Sequence, residues 1–380
     1  MNTLLRTVPL GRYRGVAVGA HWSTLVVVLL IAQVVAVSFL PATAPGYSPV
    51  SYWLVGVLAA MAFMLSLLGH ELMHALVAKR FGVGVRRIDL WLLGGATELT
   101  EPPPTPRADL LVALAGPGAS AVTAVVAGVA ATALNAAGGP ALVVSPLIWL
   151  AAANVLLAAF NLVPAAPLDG GRVLRAIVWW RTGDQARGER VASVAGRAFG
   201  LVLAVVGAGE VLLGQISGLW LVLMGAFLVV SASAEQSYNQ VRHQLEGVLV
   251  REVMTPDPPV APGWWTADSF LHACTADRHQ RVFPVISFDG TPVGVVSIAD
   301  LVRVPDRANT RVSDVAREVP TARPGEPVLD VIGRASPTTG RNVVPVLEGG
   351  RLVGVLGAED VAWATEISRA VRLGDRETSS

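Results

Sequence analysis

Gly69-His70-Glu71-Leu72-Met73-His74 stands near the end of Tyr52 to Val77, an otherwise apolar stretch long enough to cross a bilayer. Two histidines four residues apart fall on one face of a helix, a spacing that chelates zinc. Glu71 then sits beside the metal, where a carboxylate accepts a proton from a metal-polarised water. Three polar residues at a helix end are the plain alternative. Against it, each ionisable group costs about 2.5–3.5 kcal/mol at the bilayer centre, so a cluster of three requires a compensating partner. At about 1.5 Å per residue, His70 lies about 25 Å along the helix from Trp53 and about 13 Å from Lys79. A metal held there is nearer the Lys79 end, and a polar cleft has to bring water to it.

Two histidines leave zinc short of the three protein ligands usual at a catalytic site. Asp169 is the candidate third ligand. It lies in Phe160-Asn161-Leu162-Val163-Pro164-Ala165-Ala166-Pro167-Leu168-Asp169-Gly170-Gly171-Arg172, where prolines end an apolar stretch and two glycines permit a tight turn. A loop aspartate that stabilises a turn is the other possibility. Asn154 and Asn161 are seven residues apart on one helix face. They either steady a substrate carbonyl or its oxyanion, or bond neighbouring helices; the spacing fits both.

Working outward, the 380 residues are 53% hydrophobic and 15% charged, against roughly 45–50% and 25% in an ordinary soluble protein. Apolar stretches at Trp22–Leu40, Tyr52–Val77, Leu110–Leu134, Val143–Val163, Val191–Leu213 and Ile216–Ser233 predict six spans. No cleavable leader is expected, because the first stretch is span-length and lacks a small-residue cleavage pattern. Arg6, Arg12 and Arg14; Lys79, Arg80, Arg86 and Arg87; and Arg172, Arg175, Arg181 and Arg187 gather in alternate connections. Pro41–Ser51, Asn135–Leu142 and Gly214–Gln215 contain no lysine or arginine, so both termini are expected in the cytoplasm. A net charge of +1 gives no indication of a nucleic-acid partner. The single cysteine, Cys274, excludes an intramolecular disulfide and reads as a small core residue.

Taken together, His70-Glu71-Leu72-Met73-His74, Asn161-Leu162-Val163-Pro164 and Leu168-Asp169-Gly170-Gly171 resemble the site-2 protease family of intramembrane metalloproteases over about Arg14 to Ser233. The resemblance implies one Zn2+ held by His70, His74 and Asp169, with Glu71 as catalytic base. It implies a transmembrane protein as substrate, such as a membrane-bound anti-sigma factor or regulator precursor, cut to release a soluble fragment. Ala115-Gly116-Pro117 fits the family. Leu92-Leu93-Gly94-Gly95-Ala96-Thr97 resembles its membrane-associated β loop, which would pair with an unwound substrate; a plain turn before Pro102-Pro103-Pro104 fits those residues equally.

After Gln236 the chain turns polar, and two segments align at a spacing of sixty residues. Phe283-Pro284-Val285-Ile286 leads to Gly294-Val295-Val296-Ser297-Ile298-Ala299-Asp300, and Val344-Pro345-Val346-Leu347 leads to Gly354-Val355-Leu356-Gly357-Ala358-Glu359-Asp360. This resembles a tandem pair of CBS domains, with Val253-Met254-Thr255-Pro256 opening the first copy. That family often binds adenine nucleotides. Ser297 and Asp300 are the candidate contacts in the first copy, whereas Gly357 replaces the usual hydroxyl residue in the second. A packing or dimerising module without ligand is equally open. His243, His272 and His279 show no metal spacing and read as surface residues.

The expected architecture is therefore a polytopic α-helical membrane protein of about six spans followed by a small soluble α/β CBS pair. Residues 1–240 form the embedded metalloprotease, 246–306 the first CBS domain and 307–366 the second. The membrane is expected to be a bacterial plasma membrane, with lipid around the spans and a homodimer possible through the CBS pair. A CBS-regulated divalent-ion transporter or channel is the competing reading, and Glu71 discriminates against it. An inactive relative fits poorly, since all four central residues are present.

Overall fold

The computed structural model describes residues 8–91, 94–274, 280–334 and 343–365. Arg6, Leu92, Leu93, His279 and the end of the second expected CBS domain at Glu366 lie outside the described residues. The chain divides into two compact units, Met1–Ser237 and Tyr238–Ser380.

Six helices long and apolar enough to cross a membrane run over Ser23–Thr43, Pro49–Arg80, Pro106–Ala136, Ala141–Asn161, Gln185–Leu212 and Gly218–Leu245, here the first to sixth spans. Each lies on a stretch read as apolar in the sequence. The second begins with Ser48 capping the backbone N–H of Ser51 and Pro49 in the first turn. Thr105 caps the third in the same way. The sixth runs past Ser233 into polar sequence, since helix-forming side chains follow it without a proline or glycine to stop the helix. Within the first span, five residues, Val35–Phe39, are wound as a π-helix. Val35, Ala36 and Leu40 pack there against Tyr52 and Ala59 of the second span.

Before the first span, β1 (Val8–Tyr13) and β2 (Val16–Ala20) form a hairpin turning through Arg14 and Gly15, both at positive φ. After the second span come β3 (Val85–Trp91) and β4 (Gly94–Leu99). The four make one sheet in the order β1-β2-β3-β4, with β2 and β3 parallel. Val16 and Ile88 pack it onto Ala75 of the second span. The sheet therefore lies against the half of that helix that carries His70 and His74.

Between the fourth and fifth spans the chain folds back through Leu162–Leu168 into a short helix, Asp169–Thr182, whose first residue is Asp169. Gly170 and Gly171 serve here for close approach rather than for turn flexibility. A Cβ on Gly170 would lie 2.2 Å from the Val163 carbonyl oxygen, and one on Gly171 2.5 Å from the Ala166 nitrogen. Gly196 of the fifth span matches them, since its Cβ would stand 2.1 Å from the Ala166 oxygen. The loop is thus wedged between its own following helix and the fifth span. The fifth and sixth spans approach equally closely at Gly200, Gly207, Gly218 and Gly225, where any Cβ would meet backbone of the other helix.

The second unit holds two three-stranded sheets. One joins β6 (Ala261–Pro262), β7 (Val282–Ile286) and β8 (Pro292–Ser297); the other runs in the order β5 (Thr255–Pro256), β10 (Arg351–Gly357), β9 (Val343–Glu348). The segment opening the first copy completes the sheet of the second, with Thr255 opposite Val355. Reciprocally, Arg317, in the opening segment of the second copy, bridges Val295 of the first. One core accordingly contains Leu245, Val250 and Val253 with Val328, Val346 and Leu356. The other spans Ala261 to Val312, with Cys274 packed at its edge. His272 is exposed and His243 half-buried.

Candidate active site

The second span presents His70, Glu71 and His74, all buried. The loop into the helix Asp169–Thr182 brings Asp169 to them. Its Oδ2 lies 3.2 Å from Nε2 of His70 and 3.2 Å from Nε2 of His74, and the two nitrogens are 3.2 Å apart. These three atoms form the one group of metal-ligating side chains found among the described residues. Zinc bonded tetrahedrally at about 2.0–2.1 Å would separate its ligand atoms by about 3.3–3.4 Å. The triangle therefore has the dimensions of one face of such a site.

The donor chemistry agrees. His74 Nδ1 lies 2.7 Å from the Val112 carbonyl oxygen, which only accepts, so that nitrogen carries a proton and Nε2 is the ring atom available to a metal. His70 Nδ1 lies 2.9 Å from the Ser120 hydroxyl. With both outer nitrogens engaged, two imidazoles and a carboxylate turn their remaining donor atoms on one point, as metal-bound histidines do. The residues present thus fit a zinc ion.

Val112, Gly116 and Ser120 come from one stripe of the third span, at spacings of four residues. Gly116 faces the imidazoles directly, since a Cβ there would stand 2.2 Å from His74 Nε2 and 2.5 Å from His70 Nε2. The Ala115-Gly116-Pro117 motif thus acquires a steric reason. Glu71 is held from the other side by β4. Thr97 Oγ1 donates to Glu71 Oε2 at 2.7 Å, and a Cβ on Gly95 would lie 2.3 Å from Glu71 Cγ.

A cleft of about 430 Å³ opens on these groups, lined by His70, Glu71, His74, Thr97, Asn161 and Asp169 among others. Met224, Phe227 and Leu228 of the sixth span supply part of its apolar wall. Asn161 and Asn154, alike in the sequence, differ in place. Asn161 lines the cleft while its amide donates to the Leu157 carbonyl at 3.0 Å. Asn154 is fully buried, donates to Leu150 at 2.9 Å, and leaves its Oδ1 without a protein partner among the described residues.

In the second unit, Ser297 accepts from the backbone N–H of Asp300 and its hydroxyl reaches Asp300 Oδ2 at 2.8 Å, capping the following helix. Asp300 Oδ1 accepts from Arg317 at 3.2 Å. Both side chains called from the sequence as nucleotide contacts are thus engaged with their own unit. Thr97, Val112 and Ser120 were not singled out as site residues. A backbone carbonyl leaves no signature in a sequence, and Ser120 is one small polar residue in an apolar helix.

Two imidazoles, a carboxylate and a neighbouring glutamate, opening on a cleft inside six apolar helices, define a membrane-embedded metallopeptidase. The model of Peptidase family M50 matches residues 58–137 and 135–204, and that of the CBS domain matches 250–307 and 312–365. The protein named zinc metalloprotease Rip3 of Mycobacterium tuberculosis is 39% identical over 368 residues, 95% of this chain and 93% of that one. A Synechocystis protein that carries the name of a zinc metalloprotease is 33% identical over 255 residues, 67% of this chain and 66% of that one. Among solved structures, the site-2 protease from Methanocaldococcus jannaschii aligns with TM-score 0.42 and 23% identity, over 61% of this chain and 95% of that one. This chain belongs to Peptidase family M50, the zinc metalloproteases of site-2 type, and carries a C-terminal CBS pair. The enzyme class leaves the transporter alternative without support.

Proposed function

We propose that the protein is an intramembrane zinc endopeptidase that cuts a transmembrane segment of another protein, with His70, His74 and Asp169 holding the metal and Glu71 as general base. The observation carrying this reading is the 3.2 Å triangle of donor atoms with Glu71 lining the same cleft. Bound there, zinc supplies Lewis acidity that polarises a carbonyl and acidifies water toward neutrality. Glu71 accepts the proton from the attacking water, and Thr97 keeps that carboxylate turned toward the cleft. Asn161, at the cleft wall, is placed to donate to a substrate carbonyl. The third span keeps both imidazoles aimed, through the Val112 carbonyl and the Ser120 hydroxyl.

A helical substrate has its peptide carbonyls closed in its own hydrogen bonds, so it must unwind before it is cut. β4 is an end strand of its sheet, and its Gly95 and Thr97 lie against Glu71. An extended substrate segment added to that edge would be presented beside the base. The alternation of basic and uncharged connections supports cytoplasmic termini. We further propose that the CBS pair gates the peptidase, by dimerisation or by an adenine nucleotide at the copy containing Ser297 and Asp300. A nucleotide there has to displace Arg317 from Asp300, and titration of the full chain with AMP and ATP tests it. Heat of binding that Asp300→Ala abolishes is expected; no heat with either nucleotide would contradict nucleotide gating.

The test of the peptidase reading is cleavage of a tagged membrane-bound anti-sigma factor by the purified protein in proteoliposomes. Glu71→Gln keeps the shape of the side chain and removes the base, which is worth about 10²–10⁴-fold. The wild type is expected to cut and Glu71→Gln to fail, with about one zinc per chain in both. Equal cutting by the two proteins would contradict the assignment of the base.

A further inference from the structure

The short helix that begins at Asp169 is tied to the third span by an ion pair outside the candidate ligand set. Asp109, in the first turn of the third span, is fully buried. Arg175, six residues beyond Asp169 on the same short helix, donates from Nε to Asp109 Oδ2 at 2.8 Å and from Nη2 to Oδ1 at 2.6 Å. The side chain of Arg175 is 12% exposed, and Arg172 adds a second guanidinium 3.6 Å from Oδ1. The geometry is the bidentate fork that fixes both distance and orientation.

Asp109 continues the stripe already described. Positions 109, 112, 116 and 120 follow one another at spacings of three, four and four, and all four are buried. From one end to the other, that stripe binds Arg175 through Asp109, binds His74 through the Val112 carbonyl, admits both imidazoles at Gly116 and binds His70 through Ser120. The histidines arrive on the second span and the aspartate on a separate helix after a loop, so nothing in the covalent chain fixes their relative position. The third span touches both ligand-bearing pieces, the second span and the helix that begins at Asp169. A buried ion pair contributes little net stability compared with apolar packing of the same volume, and its well-attested use is to specify position.

We propose that Asp109 and Arg175 are positioning residues that set Asp169 in register with the histidine pair, so that metal affinity depends on this distant clamp. The inference rests on His70, His74 and Asp169 being the zinc ligands. Partners that orient metal ligands typically change affinity by about 10–100-fold when lost.

The experiment measures zinc affinity by competition with a chromophoric chelator, and the visible spectrum of the cobalt-substituted protein, for full-length wild type, Asp109→Asn, Arg175→Gln and the double variant. Each single variant is expected to bind zinc about 10–100-fold more weakly, and the double no more weakly than either single, because one pair is removed in every case. At saturating cobalt, the variant spectra are expected to differ from wild type, which loss of global stability alone would not produce. Arg175→Lys keeps the charge while losing the fork, and is expected to fall between wild type and Arg175→Gln. Affinities within about twofold of wild type, together with an unchanged cobalt spectrum, would overturn the proposal. Asp169→Ala separates the two ideas: wild-type affinity in that variant would defeat the ligand assignment itself, whatever Asp109 and Arg175 do.

Discussion

At the scale of single residues, the site is defined as much by what is missing as by what is present. Gly116 is required because the two imidazoles occupy the space where its side chain would be. Gly116→Ala is therefore expected to abolish stoichiometric zinc binding, measured by metal analysis of the purified protein, while leaving the helix intact, since alanine is the better helix former. Thr97 acts on the base rather than on the metal. Thr97→Val removes a hydrogen bond to a charged group, worth about 1.5–3 kcal/mol, so kcat should fall with zinc content unchanged. Zinc loss in that variant would assign Thr97 to the metal site instead. His70, Glu71 and His74 were legible in the sequence because charge inside an apolar helix is costly and their spacing is chelating. Asp169 was legible only with the motif around it. Asp109 with Arg175 was not, since sixty-six residues separate the partners and each alone reads as an ordinary charge near a span end.

Among elements, the six spans were legible from length and hydropathy, which depend on composition more than on detailed packing. The β1–β2 hairpin was not. Every residue of β1 is exposed, so the strand lacks the alternation that marks a buried face. The loop carrying Asp169 shows the opposite case, where Gly170 and Gly171 were noticed for turn flexibility but are needed for close approach. Gly196, invisible as a functional position, completes that packing. Gly196→Ala would force a Cβ against the Ala166 carbonyl, a mismatch costing about 1–3 kcal/mol. The expected result is a lower unfolding temperature in detergent together with weaker zinc retention, since the displaced loop carries Asp169. An unchanged unfolding temperature would show that the fifth span yields freely to the loop.

For the whole molecule, the repeat in the second half was legible as two copies, but the exchange between them was not, because Thr255 and its strand partner Val355 stand one hundred residues apart and leave no local signal. Thr255 and Pro256 complete the sheet of the second copy, and Val250 and Val253 lie in its core. Deleting residues 246–306 as though they were one domain therefore removes part of the other. The remaining copy is expected to be digested rapidly in limited proteolysis, whereas removal of residues 246–380 should leave the membrane unit resistant. Resistance of the second copy in the first deletion would contradict this interdependence. If the pair gates the peptidase, cleavage by the chain lacking 246–380 is expected to continue at an altered rate; an unchanged rate would exclude gating.

The central claim, a zinc ion held by two imidazoles and one carboxylate within the membrane unit, is tested most directly by zinc-edge X-ray absorption on the purified protein. The predicted spectrum contains two imidazole nitrogens at about 2.0–2.1 Å and oxygen at about 2.0–2.2 Å, with one imidazole lost in His74→Ala. A spectrum with no imidazole scattering, or one that His70→Ala, His74→Ala and Asp169→Ala all leave unchanged, would contradict it.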